Sequence, residues 1–188
     1  MITVLRLGHR AQRDKRLSTH VALVARAFGA DNLFYTGDYD QTLEDSVNKV
    51  VEKWGGAFKI EYTSSWKTLV KTWSGKIVHL TMYGLPLKTV IEEIRAIMRQ
   101  FDLLVIVGGE KVEGEVFQVA DYNVAVTSQP HSEAAALAVF LDWVFQGSEM
   151  DRVYPDAAIS VIPSTKGKVV VKRRDLLETD FGVDGLTR

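Results

Sequence analysis

LLVIV, residues 103–107, is a wholly apolar run set between Asp102 and the pair Gly108-Gly109. It carries no alternation of apolar and polar residues, so neither face of it is meant for water. Such a strand is covered on both sides, as in a parallel sheet whose crossover helices lie above and below. The run is therefore expected at the centre of a parallel sheet. Just upstream, Val90, Ile91, Ile94, Ile97 and Met98 recur at helical spacing. Before them KIVHLT (76–81) reads as a strand that meets a loop at MYGLPL. Downstream come a short helical turn near 116–120, a strand NVAVT (123–127) and a long helix. That helix is expected to open near residues 128–130 and to run to about Gln146, burying Ala134, Leu137, Ala138, Leu141 and Phe145.

The first half repeats the alternation. ITVLRL (2–7) reads as a strand, followed by a charged loop and a helix over about 18–28 that Gly29 ends. LFYT (33–36) is a second strand, and Thr42 is expected to cap a helix carrying Val47, Val50, Val51 and Trp54. FKIEY (58–62) and a short helix over 66–73 complete the half. Strands alternating with helices make an α/β sheet with helices on both faces. AISVIP (158–163) and KVVVKR (168–173) flank a Lys-Gly turn and read as an appended β-hairpin. Residues 1–174 are expected to form one domain, with 157–174 as the hairpin and 175–188 as a flexible tail.

Composition bounds the function. The 188 residues are 46% hydrophobic and 25% charged, as expected of one globular domain. No apolar run approaches the roughly 18 residues of a membrane span, and the N-terminus places its charges after its apolar residues, opposite to a signal peptide. A cytoplasmic location and no membrane partner follow as expectations. The absence of cysteine removes disulfides, thiolate metal sites and thiol nucleophiles, and suits a hot habitat. The net charge of −1 hides a partition: residues 1–20 sum to +4, residues 166–174 to +5, and the remainder to −10. Two basic ends on an acidic body point to an anionic partner such as a phosphate chain. The N-terminal cations Arg6, Arg10, Arg13, Lys15 and Arg16 are too dense to be buried and are expected at the surface.

Several signatures fail on spacing. GGEKVEGE lacks the lysine of a phosphate-cradling loop, no GxGxxG follows the first strand, and DFG at 180–182 stands without its catalytic companions. The four histidines are scattered, which leaves no metal site to expect. What remains is three loops at strand ends, HLTMYG (79–84), IVGGEKV (106–112) and NVAVTSQPHSE (123–133), where open α/β sheets bind ligands.

With RLGHR (6–10), RDKR (13–16) and THVALVARAFGA (19–30), and with ADYNVAV (120–126) and QPHSEAAALAVFLD (129–142), these loops resemble the archaeal tRNA (cytidine-2′-O)-methyltransferases of the SPOUT superfamily. The resemblance covers about residues 1–172. It implies a C-terminal trefoil knot, with the C-terminal strand and helix threaded through a loop, a homodimer, tRNA as partner and S-adenosylmethionine as cofactor. The cofactor would be held by Leu80, Thr81, Tyr83 and Gly84 from the first loop. Val107, Gly108, Gly109, Glu110, Lys111 and Val112 would serve from the second, and Val126, Thr127, Ser128 and Gln129 from the third.

Methyl transfer to a ribose hydroxyl is an in-line displacement that needs alignment and removal of a weakly acidic proton. The loops hold no obvious base, so Arg10, Arg13, Arg16 and His20 are the candidates to approach the hydroxyl, Arg16 through the related ribose methyltransferases. A non-catalytic protein that binds structured RNA is the alternative, and a nucleotide-dependent oxidoreductase lacks its glycine fingerprint. The last helix, through Val139, Phe140, Trp143 and Val144, offers the dimer interface.

Overall fold

The computed structural model describes residues 1–109 and 112–172. Six strands, β1 (Ile2–His9), β2 (Asn32–Gly37), β3 (Lys59–Tyr62), β4 (Lys76–Pro86), β5 (Leu103–Gly108) and β6 (Tyr122–Ala125), form one sheet in the order β3-β2-β1-β5-β4-β6. Every pairing in it is parallel. LLVIV lies between β1 and β4, in register Ile2↔Leu103 to Leu7↔Gly108 against β1, and is essentially inaccessible to solvent.

Its alternate residues divide between two cores. Leu103, Val105 and Val107 pack with Val4, Leu33 and Val78 under α1 (Lys15–Ala27), α2 (Gln41–Trp54), α4 (Leu87–Met98) and α6 (Glu133–Phe145). Leu104 and Ile106 pack with Leu5, Leu7 and Ile77 against Trp66 of α3 (Trp66–Thr72) and Val116 of α5 (Gly114–Val119). Full burial of each such side chain stabilises by about 1.5–3 kcal/mol, which is why the central strands admit apolar residues on both faces. The expected helices on both faces are present, four against one face and two short ones against the other. β7 (Ile159–Ile162) and β8 (Val169–Lys172) form the expected antiparallel hairpin, while Arg173, Arg174 and the tail lie outside the described residues.

Element ends differ from the sequence reading for local reasons. α1 opens at Lys15, not near Ser18: the Ser18 N–H already donates to the Asp14 carbonyl at 2.8 Å, and its hydroxyl is engaged by His9 Nδ1 at 2.8 Å. Asp40, not Thr42, caps α2: its carboxylate accepts the Leu43 N–H at 3.1 Å. Ser132, not residues 128–130, caps α6 by accepting the Ala135 N–H, and Pro130 disfavours helical geometry in the residue before it. β6 stops at Ala125, so Val126 and Thr127 belong to the loop. The MYGLP segment is not a plain loop, since β4 runs on to Pro86. Leu80 and Leu85 both stand opposite Val124, which leaves 81–84 bulged out of the ladder. Gly84 permits the return, because a Cβ there would sit 2.4 Å from the Asn123 carbonyl carbon. On α6, Phe140 and Val144 are core residues rather than surface ones, which leaves Val139 and Trp143 exposed.

The Asp40 carboxylate also faces His9 Nε2 at 3.4 Å and so ties the end of β1 to the start of α2. Asp40→Ala is expected to lower unfolding stability by about 1–2 kcal/mol, the upper range for a lost helix cap, as measured by urea denaturation.

Candidate active site

Strand order reverses between β1 and β5, and the crevice outside the carboxyl ends of the strands at such a point is the usual ligand position in an open α/β sheet. A cleft of 680 Å³ opens there. The end of β4 lines it with Leu80, Thr81, Met82 and Tyr83, and the end of β5 with Gly108, Gly109 and Val112. Residues 126–132, in no helix or strand, add Val126, Gln129, Pro130, His131 and Ser132. The N-terminal segment closes it with Arg6, Arg10, Arg13 and Asp14. The three strand-end loops and the N-terminal arginines thus meet in one place.

Not every expected residue lines the cleft. Val107 is buried beneath it in the core, and Gly84 packs on the backbone of Asn123. The Thr127 hydroxyl accepts the Gln129 N–H at 3.2 Å and so shapes the third loop from within, while Ser128 stands outside the lining. Glu110 and Lys111 lie outside the described residues. Arg10 and Arg13 are lining residues, whereas Arg16 and His20 are exposed on α1 away from the lining. The second glycine of the pair is open to the cleft: a Cβ on Gly109 would reach only Glu133 Oε1, at 3.4 Å, while one on Gly108 would press on the Val112 side chain at 2.5 Å.

The expectation that all N-terminal cations stay at the surface fails at Arg6, which is 2% exposed. Its guanidinium stands 3.4 Å from Glu133 and 4.0 Å from Asp14, and Nη1 donates to the Leu7 carbonyl. Burial pushes the Arg6 guanidinium below its ordinary value, opposed by Glu133 and Asp14. Asp14 is buried in turn and accepts from Arg10 Nε at 2.8 Å and Nη2 at 3.2 Å. The hydrogen bonds from Arg10 hold the Asp14 carboxyl below its usual range. Arg13 has no ion-pair partner among the described residues. Arg6 and Glu133 carry the site yet were not singled out from sequence; the signal available was a lone charge inside the apolar strand TVLRL.

His79, on β4, is 1% exposed and also lines the cleft. Burial pushes its imidazole below the ordinary histidine value, which keeps it neutral at physiological pH. The described residues contain no cluster of three His, Cys, Asp or Glu suited to a metal ion, and no described helix is long and apolar enough to cross a membrane.

The family described as tRNA ribose 2′-O-methyltransferase, aTrm56, matches residues 54–171. The chain is 52% identical over 176 residues to the tRNA (cytidine(56)-2′-O)-methyltransferase of Methanocaldococcus jannaschii, covering 93% of this chain and 98% of that protein. It is 47% identical over 191 residues to the enzyme of the same name from Pyrococcus abyssi, covering 100% and 96%. Among solved structures, the TrmH/SpoU tRNA modifying enzyme of A. aeolicus superposes with a TM-score of 0.56 at 15% identity, over 79% of this chain and 76% of that one. The SpoU methyltransferase AviRb from Streptomyces viridochromogenes, in complex with AdoMet, gives 0.55 at 12% identity, over 81% and 59%. These two likenesses are likenesses of fold.

The Arg6 cluster makes a stability prediction. Glu133→Ala leaves the buried guanidinium less compensated and is expected to cost on the order of 3 kcal/mol in urea unfolding. Because the Asp14 carboxyl titrates lower folded than unfolded, its contribution is present above the unfolded value of about 3.9 and is lost as pH falls through the folded one. The acid limb of the wild-type stability curve should therefore flatten in Asp14→Asn.

Proposed function

We propose, from the premise that the chain belongs to the tRNA ribose 2′-O-methyltransferase family, that it transfers a methyl group from S-adenosylmethionine to the ribose 2′-hydroxyl of a T-loop cytidine in tRNA. The single observation that carries the reading is the meeting of three strand-end loops with Arg10 and Arg13 in one cleft at the sheet's switch point. The residues present fit the cofactor. Bare backbone at Gly109 lets a ligand approach, and the loop over 126–132 lies in no helix or strand. The carboxylates of Asp14 and Glu133, paired with Arg10 and Arg6, cancel two of the cleft's three cations and so lower its repulsion of a sulfonium. When bound, S-adenosylmethionine supplies an activated methyl group on a sulfonium.

The chain's own groups do the rest. Leu80, Thr81, Tyr83, Gly108, Gly109, Val112, Val126 and Gln129 hold the cofactor, with Glu110, Lys111, Thr127 and Ser128 completing the second and third loops. Gly84 and Val107 keep those loops in place from below. Arg13, exposed and without an ion-pair partner among the described residues, stands at the ribose hydroxyl and favours its deprotonated form by charge. Arg10 is held beside it by Asp14. Arg16 and His20, exposed on α1, act on the RNA or on a partner subunit's cleft. The active form is a cytoplasmic homodimer, with the exposed Val139 and Trp143 of α6 at its interface. The last strand and helix of the sheet layer, β6 and α6, are threaded through a loop as the knot that the family resemblance implies.

Gly109→Val should abolish cofactor binding in isothermal titration while leaving the melting temperature within a few degrees of wild type; undiminished affinity in the folded variant would remove the cleft from consideration. Arg13→Ala should keep cofactor affinity and lower tRNA methylation by about 100-fold or more, the scale of a lost proton-handling or charge-stabilising group. Mixing inactive variants separates the two arginines. Arg13→Ala with Gly109→Val should give no recovery, since Arg13 serves its own chain's cleft, whereas Arg16→Ala with Gly109→Val should recover part of the activity. Light scattering at micromolar concentration checks the dimer.

A further inference from the structure

A second cleft, of 600 Å³, lies on the other side of the β1–β5 edge and shares Gly8, Arg10, Arg13, Gly109 and Val112 with the first. We propose that it receives the target nucleoside, with Asp38 reading the amino group of the cytosine base. The proposal rests on the reading that the first cleft holds the methyl donor. An in-line transfer requires the acceptor oxygen to arrive within contact of the methyl group, so the acceptor's site must open directly onto the donor's. The shared wall at Gly8 and Gly109 meets that condition, and the volume lies within the roughly 300–1,000 Å³ of small-ligand sites.

The walls suit a pyrimidine nucleotide. Trp66, Val112 and Val116 give an apolar side, and the cations Arg10 and Arg13 stand at the seam, where a ribose and its phosphates would lie. The Asp38 carboxylate lines the same cleft. Its backbone N–H donates to the His9 carbonyl at 2.8 Å, and its Oδ2 accepts the Ala11 N–H at 3.0 Å. Oδ1 has no hydrogen bond among the described residues and is left for a ligand. A carboxylate accepts from the exocyclic amine of cytosine and has nothing to offer the carbonyl that uracil carries there. The other acid of the cleft, Glu113, is already taken up by Trp66 Nε1 at 3.4 Å and Lys67 at 3.7 Å. Asp38 is also held rigidly, because Gly37 (φ +104°) packs so close that a Cβ would fall 2.1 Å from the His9 carbonyl oxygen. Asp38 and Asp40, two residues apart in GDYD, thus divide their work: one faces the cleft and the other caps a helix.

The test compares purified tRNA carrying cytidine at the target position with the same tRNA carrying uridine there. Asp38→Asn should lower kcat/KM on the cytidine substrate by about 10- to 100-fold and narrow the preference for cytidine over uridine, the scale of one base contact. Its cofactor affinity by calorimetry and its melting temperature should match wild type. Ser64→Phe, at an exposed position that lines the second cleft and not the first, should abolish methylation with cofactor binding intact. A folded Asp38→Asn enzyme with the wild-type preference for cytidine overturns the proposal. Should Asp38→Asn fail to fold, Ser64→Phe decides: wild-type methylation overturns the second cleft, and loss with cofactor binding retained supports it. If Gly109→Val still binds the cofactor, the first cleft fails on its own account, and that result is separate from either outcome here.

Discussion

The buried guanidinium of Arg6 is the constraint around which the carboxyl edge of the sheet is arranged. Position 6 of β1 faces the four-helix layer, where its neighbours in alternation are apolar, and a cation there is costly unless it is paired. Two carboxylates meet it from two different helix entrances, Asp14 before α1 and Glu133 at the start of α6. One charge therefore fixes the N-terminal segment and the third loop relative to the central strands. The compensation is incomplete, since Arg6 Nε is buried without a hydrogen-bond partner. Removing an acid from this cluster costs far more than removing a surface ion pair, because the guanidinium stays behind in the core.

The second organising feature is the seam at Gly8 and Gly109. β1 and β5 are adjacent although three strands lie between them in the chain, and the chain leaves them in different directions, β1 toward β2 and β5 toward α5. The space between these departures is divided by the two strand ends into a cleft on each side. Side chains at the seam would close the passage between the clefts. Gly8, at φ +69°, has nothing within 4 Å of where a Cβ would be. The bare backbone at Gly8 and Gly109 thus leaves one side of the sheet open to the other.

How much of this was legible in the sequence follows the strength of local signals. LLVIV read correctly as the centre of a parallel sheet because burial on both faces leaves only apolar residues. The three strand-end loops read as a ligand site from their place at the ends of strands, the family likeness adding which ligand to expect, and all three reach the cleft. Helix starts were misplaced by two to five residues wherever several capping residues compete: Asp40 and Thr42 both suit a cap, and only the fold shows that Asp40 also faces His9. Arg6 was grouped with surface arginines because sequence gives charge density and not the direction in which each side chain points. Asp38 was not singled out at all. The role proposed for it depends on strand ends brought together from positions some seventy residues apart, and no local pattern records that.

His79 shows how far the hydrogen-bond network determines the chemistry of the first cleft. The Asn123 amide nitrogen donates to the Phe117 carbonyl at 2.8 Å, so its oxygen must be the atom facing His79 Nδ1 at 2.9 Å. An oxygen can only accept, which places the proton on Nδ1 and a lone pair on Nε2. The Phe117 ring meets the imidazole edge-on at 4.7 Å and helps exclude water. Burial lowers the pKa, so the ring adds no positive charge where Arg6, Arg10 and Arg13 already stand. The cleft wall therefore offers two carboxylates and a neutral imidazole beside three arginines, of which Arg6 and Arg10 face acids of the cleft itself. These pairings neutralise Arg6 and Arg10 and leave Arg13 as the cleft's one cation without an ion-pair partner among the described residues.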